Sequence, residues 1–309
     1  MHMLTDNDIR SRDLARLAEL QNRRLMGQLR SPVKSVVFPG GGGAAIDVGT
    51  QPSVTTSSYT GAPSYTRPVA HDFINSGLAY LNKADYDQAI SDFSQAIALN
   101  PDSAVLHYAR GLAYRAKADY DRAIADFNRA TEIDPTYADA YAARGVAYRI
   151  KGDYDQAIAD FNQAIALTPD SAVAHYDRGP AYLGKVDFDQ AIADFNRATE
   201  IDPTYADAYV NRGLAYLSKP DFDQAIADFN RATEIDPTDA HAYATRGLAY
   251  LMKADYDRAI ADYSEAIRLN PKDAAALFWR GEVKRRKGDS AGGELDMAAA
   301  KAIDPNVGY

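Results

Sequence analysis

Two columns of charge run through this chain. Arginine stands at Arg110, Arg144, Arg178, Arg212, Arg246 and Arg280, and aspartate follows sixteen residues after each, at Asp126, Asp160, Asp194, Asp228, Asp262 and Asp296. Guanidinium and carboxylate groups hold phosphates, polarise carbonyls and move protons, so a catalytic or anion-binding centre is the chemistry they suggest. Their recurrence argues against it. A site occurs once, whereas these residues return every 34 positions, as a scaffold feature does. The expectation is an ion pair between two helices of each recurring unit, with the planar fork of arginine met by carboxylate or backbone.

The other residues that could carry chemistry are weaker still. The histidines are His2, His71, His107, His175 and His241, and no two lie three or four apart as a helical metal pair would. Acidic turns such as Asp85-Tyr86-Asp87 and Asp119-Tyr120-Asp121 lack the alternating ligands, glycine and distal glutamate of a calcium loop; they read as helix caps and first-turn acids. The run Gly40–Gly43 lacks the Gly-Lys-Ser/Thr of a phosphate loop. Cysteine is absent, which removes disulfides, thiol catalysis and cysteine-bound zinc. No catalytic, cofactor-binding or metal-binding residue is assigned, and the expectation is a non-enzymatic protein without a cofactor.

The elements that position these columns follow from a proline beat: Pro101, Pro135, Pro169, Pro203, Pro237, Pro271 and Pro305, each 34 residues after the last. From Ala70 the chain divides into seven units, starting at Ala70, Ala104, Ala138, Ala172, Ala206, Ala240 and Ala274; places within a unit are numbered 1 to 34. In the third unit Tyr141, Gly145 and Tyr148 fall on one face of a helix, at places 4, 8 and 11. Ala157, Phe161 and Ala164 fall on one face of a second, at places 20, 24 and 27. Asp153 is expected to cap that second helix, and Pro169 to open the next helix with Thr168 as its cap. Each unit is then two antiparallel helices, and only stacking buries their apolar faces. The fold class is all-α, a solenoid of seven helix-turn-helix units.

This pattern resembles the tetratricopeptide repeat, through Gly111, Tyr114, Ala123, Phe127, Ala130 and Pro135 and their copies in the following units. The tryptophan usual at place 4 is replaced by residues such as His107 or Tyr209, which keep bulk. The resemblance implies a right-handed superhelix whose first helices line a concave groove through places 2, 5, 9 and 12. The last unit departs from the pattern at Lys284, Gly292, Gly293 and Met297, and Lys284 to Lys287 read as the polar surface of a terminal cap.

The groove is where the units differ. The residues expected to line it are Leu81, Tyr108, Leu112, Arg115, Asp139, Arg149, Tyr176, Leu183, Asp207, Leu217, Leu251 and Phe278. Exposed apolar footing of this kind marks an interaction site, while exposed places 18, 19 and 25 of the second helices hardly change. The expected partner is a protein or peptide segment. The groove lacks the lysine and asparagine of a chaperone carboxylate clamp, holding Ile74, Leu78, Tyr108 and Leu112 there.

The solenoid spans 69–305, with 306–309 as a tail, and residues before it differ in kind. Residues 1–30 read as an amphipathic helix whose apolar residues include Leu14, Leu17 and Leu25, and 31–68 as a Gly/Ser/Thr/Pro-rich linker carrying the short apolar segment Val36, Val37 and Phe38. An alternative role follows, in which this arm anchors the protein to a neighbouring subunit or another copy of itself. A net charge of −9 argues against nucleic acid. No run of about 18 apolar residues and no secretory signal stand in the chain, and the cytoplasm is the expected compartment.

Overall fold

Residues 70–308 are described by a computed structural model, and every expected unit among them is a pair of helices. In chain order these are α1 (Ala70–Asn82), α2 (Tyr86–Leu99), α3 (Ala104–Ala116), α4 (Tyr120–Ile133), α5 (Ala138–Lys151), α6 (Tyr154–Leu167) and α7 (Ala172–Gly184). They continue as α8 (Phe188–Ile201), α9 (Ala206–Ser218), α10 (Phe222–Ile235), α11 (Ala240–Met252), α12 (Tyr256–Leu269), α13 (Ala274–Lys287) and α14 (Ser290–Ile303). Odd-numbered helices are the first of each unit and even-numbered ones the second. The expected helix at 1–30, the linker at 31–68 and the docking residues Leu14, Leu17, Leu25, Val36, Val37 and Phe38 lie outside the described residues.

The described chain divides into two compact units, residues 70–143 and 144–308. In the first, α1 to α4 pack each against the next. In the second, α6 to α14 do the same, and the first helices α7, α9, α11 and α13 also touch one another in sequence. Consecutive helix pairs therefore stack as a solenoid.

Packing explains the constant small and large places. Phe93, Phe127, Phe161, Phe195 and Phe229, at place 24, are fully buried. Glycine at place 8 admits that ring: a Cβ on Gly179 would stand 2.4 Å from Cε1 of Phe195, far inside van der Waals contact. Helix–helix approach at this point has no room for a methyl group.

The turn between the two helices of a unit requires a left-handed residue at place 15. Ala84, Ala118, Val186 and Ala254 adopt it at φ of 59°, 61°, 62° and 58°, and Gly152 and Gly288 at 86° and 102°. The backbone then closes as in a Schellman turn, with Asp119 N–H donating to the Tyr114 carbonyl at 2.9 Å and Asp187 to Tyr182 at 2.9 Å. The same aspartate caps the next helix: Asp119 accepts from Arg122 N–H and Asp187 from Gln190 N–H. Asp153 departs from this, occupying the N-cap of α6 without a side-chain cap bond.

The arginine and aspartate columns meet as expected. Arg110, Arg144, Arg178, Arg212, Arg246 and Arg280 each grip the aspartate of their own unit through Nε and Nη2, at 2.5–2.9 Å. The aspartates are buried. The third guanidinium nitrogen does something the spacing alone does not reveal. Nη1 of Arg110 donates back to Ser94 of the preceding second helix at 3.0 Å, and Nη1 of Arg212 to Asn196 at 2.7 Å and Thr199 at 3.0 Å. One arginine thus joins three helices. The rings at place 4 lend support, with Arg212 lying 5.2 Å from the Tyr209 centroid. His107 donates from Nε2 to the Pro101 carbonyl at 3.0 Å and places Nδ1 3.4 Å from Asp126, which ties the proline turn to the same network.

Three further expectations change. The prolines of the 34-residue beat do not open helices: Pro169 sits in a turn, α7 starts at Ala172, and its cap is Ser171, accepting from Ala174 N–H. Thr168 closes the preceding helix instead, its hydroxyl donating to the Ala164 carbonyl at 2.8 Å. Lys284 is not part of a purely wet cap surface. It reaches buried Asp296 at 2.8 Å, beside Arg280. Burial opposes ionisation of that carboxyl, but these two cations outweigh it and hold its pKa below the ordinary aspartate value. Within the residues expected as a tail, Val307 packs on Leu277 and Ala300 and is buried.

Two outcomes follow from this scaffold. Replacing Arg212 by Met leaves Asp228 buried without its fork and should cost roughly 3–5 kcal/mol, read as faster amide exchange in α9 and α10. Wild-type exchange there would refute the coupling. Replacing Val186 by Gly relieves a β-branched residue held at φ 62° and exposed at 69%, so little packing is lost. Urea unfolding should show a gain of about 1 kcal/mol.

Candidate functional site

The residues expected to form the binding surface sit on the first helices, but the structure divides them. Leu81, Leu112, Leu217 and Leu251 are only 1–5% exposed and belong to the hydrophobic core. They are not exposed apolar footing. Contact between successive first helices and with the second helices covers such positions: α9 to α13 enclose Leu214, Leu217, Leu248 and Leu251 in one cluster with Phe229 and Tyr263. Tyr108, Arg115, Asp139, Arg149, Tyr176, Leu183, Asp207 and Phe278 remain half-buried.

In the unit 70–143, Tyr108 is the centre of this surface. Its ring lies 5.9 Å from Phe127 and 5.0 Å from Tyr137, tilted against both. Burial pushes the Tyr108 phenol up to about 12, Asp139 adds to the rise, and Arg115 opposes it. The Tyr137 phenol is raised by burial and then by Tyr108, and burial alone raises the Asp139 carboxyl.

In the unit 144–308 the arrangement recurs 68 residues on. Tyr176 lies 6.0 Å from Phe195 and 4.7 Å from Tyr205. Its hydroxyl accepts a 3.0 Å bond from Nδ2 of Asn211, which also donates to the Asp207 carbonyl at 2.9 Å. Burial raises the Tyr205 phenol far above its ordinary range, with Asp177 contributing next. Arg149 presents a different situation. Its Nε is buried without a hydrogen-bond partner, and desolvation lowers its guanidinium pKa against the pull of Asp177. Phe278 meets Trp279 edge-on at 5.5 Å.

Tyr137, Tyr205 and the buried Asn211 complete these clusters, and none of the three stands among the residues expected to line the groove. The first two stand at place 34, just before a first helix, in what reads as a turn. The signal was present: Tyr137 and Tyr205 are one 68-residue superperiod apart, as are Tyr108 and Tyr176.

The constancy of the second helices also gains a structural cause. Asp at place 18 pairs with the lysine at place 14 of the next unit, as in Asp87–Lys117, Asp155–Lys185 and Asp189–Lys219. Ser or Asn at place 25 accepts from the arginine of the next unit. Two of the places that hardly vary are therefore inter-unit contacts rather than idle surface.

Among the described residues no three His, Cys, Asp or Glu gather as a metal-holding group, and no helix is long and apolar enough to cross a membrane.

Comparison with known proteins agrees with this geometry. Models described as "Tetratricopeptide repeat" match residues 74–138, 176–240 and 245–307, and, in a further model, 127–159; one described as "TPR repeat" matches 147–186. A tetratricopeptide repeat protein of Parabacteroides merdae has a similar solved structure, with 21% identity, TM-score 0.61, and coverage of 77% of this chain and 94% of its own. YrrB, described as a TPR protein with an unusual peptide-binding site, is 25% identical with TM-score 0.50, covering 60% of this chain and 95% of its own. MamA is 31% identical with TM-score 0.50, covering 53% of this chain and 96% of its own. No curated protein matches the chain.

The tyrosine clusters are open to titration. A buried phenol with a raised pKa contributes stability that is complete below the unfolded value of 10 and lost as pH rises through the folded one. Phenolate absorbance should show a component near 12 that disappears in Tyr108→Phe. A variant titrating like the wild type would place Tyr108 in ordinary solvent.

Proposed function

The chain belongs to the tetratricopeptide repeat family, and on that premise we propose that it is a non-catalytic scaffold whose first-helix face holds a segment of a partner polypeptide. The observation that carries this reading is the make-up of the half-buried part of that face. Tyr176, Asp177, Leu183 and Asp207 supply it in the unit 144–308, and Tyr108, Arg115 and Asp139 in the unit 70–143. Tyrosines are strong anchors, because they combine large contact area with few rotatable bonds. Held rigid by Phe195 and Tyr205, the Tyr176 ring is ordered before any ligand arrives, which lowers the entropy cost of binding. A peptide-sized ligand is supported by YrrB, whose description names a peptide-binding site. The side chains that recur with acid–base potential, the arginine and aspartate columns, face each other and leave no reaction to assign.

A photo-crosslinking amino acid at Leu183, on α7, should capture a partner polypeptide from an extract of the source cells. The same group at exposed Ala193, on α8, should capture none of it. Equal capture at the two positions, or capture at Ala193 alone, would move the interaction off the first-helix face.

A further inference from the structure

The sixth unit breaks the aromatic pattern that the second and fourth share. A cavity of about 90 Å³ opens there, and Ala244, Tyr263, Asp273 and Trp279 lie in its wall with Leu214 and Leu248. The first four are the counterparts of Tyr176, Phe195, Tyr205 and Asn211, each advanced by 68 residues. In the fourth unit those four residues form a filled set. The Tyr176 ring lies against Phe195 and Tyr205, and Asn211 donates to its hydroxyl. In the second unit Tyr108, Phe127 and Tyr137 repeat the ring contacts. In the sixth unit both tyrosines are gone: alanine replaces the first and aspartate the second. The large residue gained, Trp279, is turned onto Phe278 at 5.5 Å. The wall residues of the cavity thus hold the places that the tyrosine cluster holds one superperiod earlier.

The chain therefore displays what fits. The wall is mainly apolar, and its Thr245 hydroxyl is engaged by the His241 and Ala242 carbonyls at 2.8 Å and 3.1 Å. An apolar ring would meet apolar groups on several sides, the usual character of a ligand pocket. Asp273 adds a carboxylate where Tyr205 stands in the fourth unit; it is only half-buried, and one oxygen accepts from Ala276 N–H at 2.9 Å. With a chain charge of −9, that carboxylate favours a cation beside the ring rather than an anion.

We propose that this cavity receives the aromatic side chain of a bound partner segment, with a lysine or arginine next to it in that segment. The proposal rests on the scaffold reading above and gives it a chemical specificity: a ring from the ligand completes a cluster that the second and fourth units complete from within.

Trp279 is the one tryptophan of the chain, so its emission reports on the cavity directly. The probes are the peptides acetyl-Lys-Phe-Lys-amide, acetyl-Lys-Ala-Lys-amide and acetyl-Glu-Phe-Glu-amide, titrated into the full chain. The phenylalanine probe with lysines should give a saturable change at millimolar concentration. The alanine probe should bind about tenfold more weakly, and the glutamate probe at least about threefold more weakly. Ala244→Tyr, which supplies the ring from within, should weaken the first probe about tenfold or more. Ala244→Val should weaken it less, and is tolerable because Val210 is fully buried at the same place of the fifth unit. Thermal melting confirms that each variant is folded.

No saturable change with the phenylalanine probe, equal binding of the alanine or glutamate probe, or unchanged binding in both folded variants would overturn the proposal. The two readings fail separately. Capture at Leu183 with no phenylalanine response overturns the cavity assignment alone. A phenylalanine response lost in Ala244→Tyr, with no segment captured at Leu183, overturns the face assignment and leaves the cavity as an aromatic site.

Discussion

The arginine at place 7 is the constraint on which the rest depends. Its side chain leaves a first helix, closes a bidentate fork on a buried aspartate of the second helix, and extends its remaining nitrogen to the second helix of the preceding unit. A helix pair can slide along its axis with little change in apolar contact; a planar fork on a carboxylate cannot, because both bonds lose their geometry together. The same group fixes the spacing to the neighbouring unit, so register within a pair and stacking between pairs are set at one atom cluster. Removing only the cation would leave a buried carboxylate without its partner, the costly half of breaking such a pair.

With the register fixed, the glycine at place 8 and the aromatic ring at place 24 can meet at a distance that excludes even a methyl group. Successive first helices α7, α9, α11 and α13 are also in lateral contact, which shapes the face that they present. Most leucines at places 9 and 12 are out of solvent, and tyrosines, aspartates and a few cations, with Leu183, remain half-buried. The resulting face is aromatic and acidic rather than broadly apolar. Its clusters are paired: Tyr108 with Tyr137, and Tyr176 with Tyr205, each with a raised phenol pKa or a raised partner. The cavity at Ala244 is a local consequence of the same geometry, since a large ring removed from a rigid frame leaves space that the frame does not close.

Much of this was legible in the residues. The 34-residue beat, the apolar periodicity of 3.6 and the recurring Arg and Asp specify seven helix pairs and the ion pair within the last six, because these features are local or repeat at fixed spacing. Helix caps were legible in part. Asp119 and Asp187 cap as their type predicts, whereas Asp153 holds the same position without the bond. The prolines mark each boundary correctly but sit in the turn; Pro101 to Pro271 lie three residues before the helix that follows.

The amino-acid order specified which residues vary between units; it did not specify which of those remain at the surface. Leu183 and Leu217 hold the same place in successive units, yet one stays half-buried and the other is 1% exposed. Burial at that place depends on what the next first helix lays across it, a contact about 34 residues away in the chain. The third arm of arginines such as Arg110 and Arg212, the tyrosine pairs at place 34 and the space beside Ala244 are of the same kind. Each arises where three or more helices meet, so its geometry exists only once the stacking has formed.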